Sequence, residues 1–260
     1  MNKHVQNVFN AIVGKFKTGE IAESIAMACF PSPEAPSSSW SFTNRTIMFL
    51  SETGDARGYR QWKTADRFVK KGSHPVHILA PRFKKEVDKA TGQEKRTLKY
   101  FNAVPVFRYE DTGGDELPSK AFEIPNLPLK SKGEEWGLPI HDEISSYRFY
   151  NYYSPEREYC SVASPEEIKF FWGLAKTGQK RLNGSGEMNK GPFEEAISDL
   201  AAQALCCLVG KITCGEFKGT FQNIDMCARE ASKSVRYSCL YVLSETERIL
   251  KLILTGTRFI

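Results

Sequence analysis

Histidine is scarce in this chain: 260 residues include four, His4, His74, His77 and His141. A catalytic metal centre built on imidazoles needs two or three that converge. His74 and His77 stand at the start of strand-like text, where they read as surface or packing residues, and His141 has two acids beside it but no second imidazole. The same scarcity leaves no Ser/His or Cys/His arrangement for nucleophilic catalysis. The seven cysteines are odd in number and include no C-x-x-C pair. Cys207, Cys214 and Cys227 match no standard zinc spacing, so buried reduced thiols are expected, as in a reducing compartment. No apolar run approaches the roughly 18 residues of a membrane span, and the opening MNKHVQNVFN has no signal-peptide h-region. A cytoplasmic protein with no membrane partner is the expectation. Glycine loops of nucleotide-binding type and internal repeats are also missing, and no cofactor is expected.

Charge is present in abundance and is unevenly placed. Up to Arg108 there are 18 Lys/Arg against 9 Asp/Glu, a balance of +9, whereas the rest of the chain holds 18 against 22, a balance of −4. Between Arg57 and Lys99 the count is 13 basic to 4 acidic, with Trp62, Phe68, Phe83, Tyr100 and Phe101 interleaved. Cations along a groove with aromatic platforms suit a sequence-tolerant binder of single strands, because phosphates supply affinity and every base has a face to stack. A solvated basic surface over core aromatics is the alternative reading of the same residues.

Apolar periodicity predicts a first helix from Val5 to Phe16 that stops near Gly19, a loop over 31–39, and helices over 44–50 and 63–69. Strands are predicted over 74–81 and 98–109, joined by the charged turn KKEVDKATGQEKR. Residues 120–139, with PNLPLKSKG, read as a linker, and 148–155 as strand text. Helices follow at 165–181, 192–209 and 224–254. At this length two cores are expected rather than one.

Two stretches in the second half carry the chemistry. Phe170 to Leu182 reads FFWGLAKTGQKRL, and from Glu194 the chain reads EEAISDLAAQAL. Phe170, Phe171, Leu174 and Ala175 have the spacing of an ordinary amphipathic helix. The first stretch also looks like a zinc-protease helix stripped of its ligands. His-Glu-x-x-His places two imidazoles one turn apart and a general base between them, and here those places hold Trp172, Gly173 and Lys176. Indole, hydrogen and ammonium have no lone pair to offer a metal.

Upstream, the chain runs WSFTNRTIMFL from Trp40, then DARGYRQWKTADRFVKKGSHPVHILAPRF, then YFNAVPVFRYEDTGGDELP. Over roughly its first 120 residues it resembles the N-terminal single-stranded-DNA-binding domain of ArdC-type antirestriction proteins. Trp40-Ser41, Asn44-Arg45, Gly58-Tyr59-Arg60, Trp62, Lys70-Lys71-Gly72, Ile78 to Pro81, Val104 to Phe107 and the Asp111-Thr112-Gly113 turn carry the match. In that family a zincin-like metallopeptidase domain follows, with helices of the form FFHELAH and EEIVAEL, and both are legible here in degenerate form. The resemblance implies an α+β protein with a basic α+β DNA-binding domain at 1–120, a linker at 121–145 and a mostly helical pseudo-metallopeptidase domain at 146–260.

By that resemblance the implied function is sequence-tolerant binding of single-stranded DNA, in the setting of a plasmid, phage or other mobile element, without peptidase activity. Arg45, Arg60, Lys63, Arg67, Lys70 and Lys71 are the candidate phosphate contacts and Trp62 the candidate stacking platform, with core packing as the alternative for Trp62. Asp199 stands where the second helix of such proteins supplies a carboxylate ligand. Lys176 is expected to pair with Asp199, or else Glu195, in place of the metal charge, with Trp172 filling the vacated volume; a lysine turned to solvent is the alternative. A restriction or other DNA-processing enzyme is the second candidate partner, and a protein-interaction module or a hydrolase with a non-standard site are the rival functions.

Overall fold

The computed structural model describes residues 2–87, 94–117, 125–140, 147–150, 161–184, 191–215, 217 and 219–255. Helix α1 (Lys3–Thr18) starts where the Asn2 side chain accepts the His4 N–H, and it stops at Gly19, whose left-handed φ of 78° lets its N–H turn back to the Phe16 carbonyl. Helices α2 (Ile21–Cys29) and α3 (Phe42–Leu50) follow, the latter capped by Ser41. The chain then forms β1 (Ala56–Arg57), α4 (Tyr59–Thr64), β2 (Arg67–Val69), β3 (Val76–Val87), β4 (Glu94–Arg108) and β5 (Thr112–Gly114). The helix expected over 63–69 is corrected here. It begins earlier and ends at Thr64, and Asp66, at a φ of 54°, turns the chain into β2.

Strands β1, β4 and β3 make one sheet in that order, and β2 pairs with β5. Edge strand β3 is held by a side chain: the Asn44 amide donates to the Leu79 carbonyl (2.9 Å) and accepts the Leu79 N–H (2.8 Å). That pairing covers buried backbone that would otherwise lack a partner. The predicted charged turn is mostly strand, since the pairing continues past Lys85↔Arg96 to Val87↔Glu94. From Pro81 to Lys85 and from Thr97 to Tyr100 every side chain is exposed, so the outer half of this hairpin is an arm beyond the core.

After β6 (Asn126–Leu127), α5 (Leu129–Glu135), β7 (Tyr147–Arg148) and β8 (Ser161–Val162) come α6 (Pro165–Asn183) and α7 (Glu194–Leu208). Short strand β9 (Lys211–Ile212), α8 (Thr220–Glu230) and α9 (Val235–Ile253) complete the described chain. The single helix expected over 224–254 is two, broken by a turn in which Ser232 has a φ of 51°. Helix α6 opens on a capping box, in which the Ser164 hydroxyl accepts the Glu167 N–H while the Glu167 carboxylate accepts the Ser164 N–H, with Pro165 at the first helical position.

Helix α7 is the centre of the packing: eleven of its fifteen residues are buried. Ala201, Ala202 and Ala204 have no bulk beyond Cβ, and α2 lies against α7 with its own buried Ala22 and Ala26. Helices α1 and α3 contact α9 as well. The buried apolar residues from Val5 to Leu254 form one contiguous cluster. The described part of the predicted linker, 125–140, forms β6 and α5, and Phe170 of α6 lies so close to Gly133 that a Cβ there would meet its ring at 2.5 Å.

Candidate nucleic-acid interface and degenerate metal position

Four of the seven candidate DNA contacts lie on the surface. Arg60 and Lys63 are exposed, three residues apart on α4, and so share a helix face. Lys70 and Lys71 are exposed just after β2, with the Lys70 ammonium donating to the Glu110 carbonyl at 3.0 Å.

The other three are inside, which corrects their assignment. Trp62 is 0 % exposed. Its indole N–H donates to the Phe107 carbonyl at 2.9 Å, the Arg57 guanidinium lies 4.8 Å from the ring centroid, and Tyr109 packs at 6.2 Å. No face of that ring is left for a base. Arg67 is 7 % exposed. Its Nε donates to the Thr112 hydroxyl at 2.9 Å, its Nη1 to the Gly114 and Asp115 carbonyls, and its guanidinium stacks on Tyr109 at 4.2 Å. Arg67 thus fastens β2 to the β5 turn. Arg45, at 5 %, directs Nη1 to the Ser38 carbonyl at 3.3 Å and lies over the Phe42 ring.

Better stacking candidates emerge instead. Phe68 follows buried Arg67 on a strand, and alternation turns it outward. It is 62 % exposed, with its ring laid over Gly113, where a Cβ would come within 2.7 Å of the ring edge. Tyr59, on the first turn of α4, is also exposed and packs edge-on to Phe107 at 6.5 Å. On the hairpin arm, Phe83, Leu98 and Tyr100 are exposed among Arg82, Lys84, Lys85 and Lys99. Phe68, Phe83 and Tyr100 were visible in the sequence as aromatics among cations, but strand phase was needed to separate outward rings from inward ones.

The α6–α7 pair is organised differently from the expectation. Trp172 on α6 donates its indole N–H to Asp199 Oδ1 on α7 at 3.1 Å. Lys176 does not pair with Asp199 or Glu195; its ammonium rests 5.1 Å from the Trp172 ring centroid, and no ion pair includes it among the described residues. Trp172 is 41 % exposed, so it covers the surface and does not fill an interior volume. Burial pushes the Asp199 pKa up; the Trp172 bond opposes this, the Glu195 charge adds to it, and the Lys176 charge opposes it. A second link between the helices is deep: the Ser198 hydroxyl donates to Gln179 Oε1 at 2.6 Å. Gly173 is half-buried, with Leu138 at ordinary contact distance from where a Cβ would stand.

Cys29, Cys206, Cys227 and Cys239 are buried, and burial pushes the Cys29 and Cys239 thiols up to about 12. Cys214 is exposed. His141 and Cys160 lie outside the described residues. Two cavities of about 510 and 520 Å³ open near Lys17 and Phe221, and no residue of α6 lines either.

No protein-family model and no curated protein matches this sequence. Two solved structures of the antirestriction protein ArdC from plasmid R388 do match its fold. The metal-free structure aligns with a TM-score of 0.51 at 16 % identity, over 97 % of this chain and 98 % of that one. The Mn(II)-bound structure aligns with a TM-score of 0.54 at 14 % identity, over 98 % and 99 %. Trp172, Gly173 and Lys176 have no lone pair to offer a metal, and among the described residues there is no group of three His, Cys, Asp or Glu placed to ligate one. Over nearly its whole length, this chain shares the fold of the plasmid ArdC antirestriction protein.

Proposed function

We propose that this chain is an antirestriction-type protein that binds single-stranded DNA through the basic, aromatic surface of its first half, and that its α6–α7 pair performs no metallopeptidase chemistry. The observation that carries the reading is Phe68, a ring 62 % exposed between the exposed cations of α4 and those of the Lys70-Lys71 turn. A large apolar ring held open to water on a rigid strand is costly to leave uncovered, and among cations it suits a nucleobase whose phosphates meet the neighbouring charges. Bases in a duplex are already stacked, so the same surface favours single strands. The hairpin arm, with Phe83 and Tyr100 among its cations, extends this surface. On α6, the indole, hydrogen and ammonium at the ligand and base positions support the absence of hydrolysis.

Binding of labelled single-stranded and duplex oligonucleotides across a salt series tests the proposal. A single strand should bind more tightly than a duplex, and log affinity should fall with log salt by about 0.7 for each phosphate contacted. Phe68→Ala should weaken single-strand binding by roughly 1–3 kcal/mol, the range for loss of one base–aromatic stack. Equal binding by wild type and Phe68→Ala removes the stacking role, and absence of binding at low salt removes the function.

A further inference from the structure

The outward crest of α6 carries Lys169, Trp172, Lys176 and Lys180. At 3.6 residues per turn the three lysines fall within about 40° of one another around the helix and span about 16 Å along it. Lys169 and Lys180 are exposed and Lys176 half-exposed, and Trp172 stands beside them at 41 % exposure. This line of positive charge lies in the acidic half of the chain.

Several other helix cations of the second half are ion-paired one turn away: Lys132 with Glu135, Arg229 with Asp225, Arg248 with Glu245, and Lys251 with Glu247. Among the described residues Lys169, Lys176 and Lys180 make no ion pair. The two acids of α6 are both in its first turn, and Glu167 is buried in the capping box and paired with Lys211 at 3.2 Å. Glu166 lies one turn from Lys169 without an ion pair to it, and beyond that first turn α6 carries no acid.

Trp172 is held in a fixed orientation by its bond to Asp199. The indole edge is engaged, and the Lys176 ammonium lies 5.1 Å from the ring centroid. Asp199 of α7 is directed at the indole N–H.

We propose that the crest of α6 is a second single-strand subsite, in which a nucleobase stacks on Trp172, displaces the Lys176 ammonium toward the adjoining phosphate, and is flanked by phosphate contacts at Lys169 and Lys180. The position of a metallopeptidase helix would thereby serve polyanion binding, with Asp199 a positioning residue for the ring. This rests on the reading that the chain binds single-stranded DNA. A long strand that reaches both surfaces gains from the high effective concentration of the second contact.

The test uses the full chain and labelled oligothymidylates of about 10 and about 30 nucleotides, lengths on either side of a single-fold site size. Two variants are compared with wild type: Lys169→Gln/Lys176→Gln/Lys180→Gln on α6, and Arg60→Gln/Lys63→Gln/Lys71→Gln on the first half. The α6 variant should reduce the salt slope for the long strand by about 2, three contacts at roughly 0.7 each, and weaken its binding at least tenfold. Oligonucleotide should also quench tryptophan fluorescence, and Trp172→Phe should remove most of that quench. If the α6 variant and Trp172→Phe both behave as wild type while the first-half variant loses binding, the subsite is wrong and the main function stands. An acidic protein partner would then be the better use of the crest. If wild type binds no strand at low salt, both fall. Should the triple variant fail to fold, Lys180→Gln alone, at an exposed position, should still lower the slope by about 0.7, and an unchanged slope would overturn the proposal.

Discussion

Trp62 and Trp172 make the same kinds of contact at opposite exposures. Each indole N–H donates to an oxygen from a distant part of the chain, the Phe107 carbonyl at 2.9 Å for Trp62 and the Asp199 carboxylate at 3.1 Å for Trp172. Each ring has a cation over it, Arg57 at 4.8 Å and Lys176 at 5.1 Å. Yet Trp62 is wholly buried and Trp172 is 41 % exposed. From the sequence, Trp62 stands among cations and reads as the DNA platform, while Trp172 stands in apolar helix text and reads as filler. In the structure Trp62 is the buried ring and Trp172 the one that meets water. Contact chemistry alone does not separate a core ring from a binding ring, because both satisfy their N–H and both attract cations; what separates them is whether a face remains in water.

The largest test of this contrast is truncation of each ring. Trp62→Ala should cost about 3–5 kcal/mol of unfolding free energy, through lost burial and the cavity left behind. Trp172→Ala should cost about 1.5–3 kcal/mol, the range for a hydrogen bond to a charged group such as the Asp199 carboxylate. Denaturant unfolding of the two variants reads both numbers. Equal losses would erase the contrast and place Trp172 in the core.

Arginine and lysine in the first half give a smaller test of the same kind. Arg67→Ala removes charge-assisted hydrogen bonds that tie β2 to the β5 turn, and should destabilise by about 1.5–3 kcal/mol. Lys63→Ala, on exposed α4, should change stability by under about 0.5 kcal/mol while reducing the single-strand salt slope by about 0.7. If Arg67→Ala melts like wild type but loses DNA binding, Arg67 is a phosphate contact after all.

The sequence made local features legible and left long-range ones hidden. The start of α6 could be read because Ser164, Pro165 and Glu167 are neighbours in the chain, and the stop of α1 because Gly19 signals itself. The fate of Trp62 could not, because its partner, Phe107, lies 45 residues away on a strand whose phase depends on the sheet. The end of α4 depends on Asp66 adopting a left-handed φ of 54°, which an aspartate does not announce. The ligand-free helix pair was visible position by position, whereas the Trp172–Asp199 bond required the crossing of α6 over α7. Lysine is the natural guess for charge replacement, but an indole N–H in the right place satisfies the carboxylate without a second buried charge.

The smallest effect, and the sharpest probe of that last point, is the pH dependence that Asp199 confers. Its pKa is raised in the folded chain, chiefly by burial. A carboxyl whose folded pKa exceeds its unfolded one binds more protons when folded. Between the ordinary aspartate value and the raised folded value, stability therefore falls as pH rises, and above that window the cost is fully present. Asp199→Asn keeps an oxygen acceptor for the Trp172 N–H and removes the ionisation. It should raise stability at neutral pH and flatten the pH profile across this window, with little change at the acid end. Urea unfolding of wild type and variant at several pH values measures this. If Asp199→Asn is less stable than wild type at neutral pH by more than it is at acid pH, then the ionised carboxylate is a better partner for the indole than burial allows, and the charge of Lys176, 5.1 Å from the ring centre, helps to hold it there.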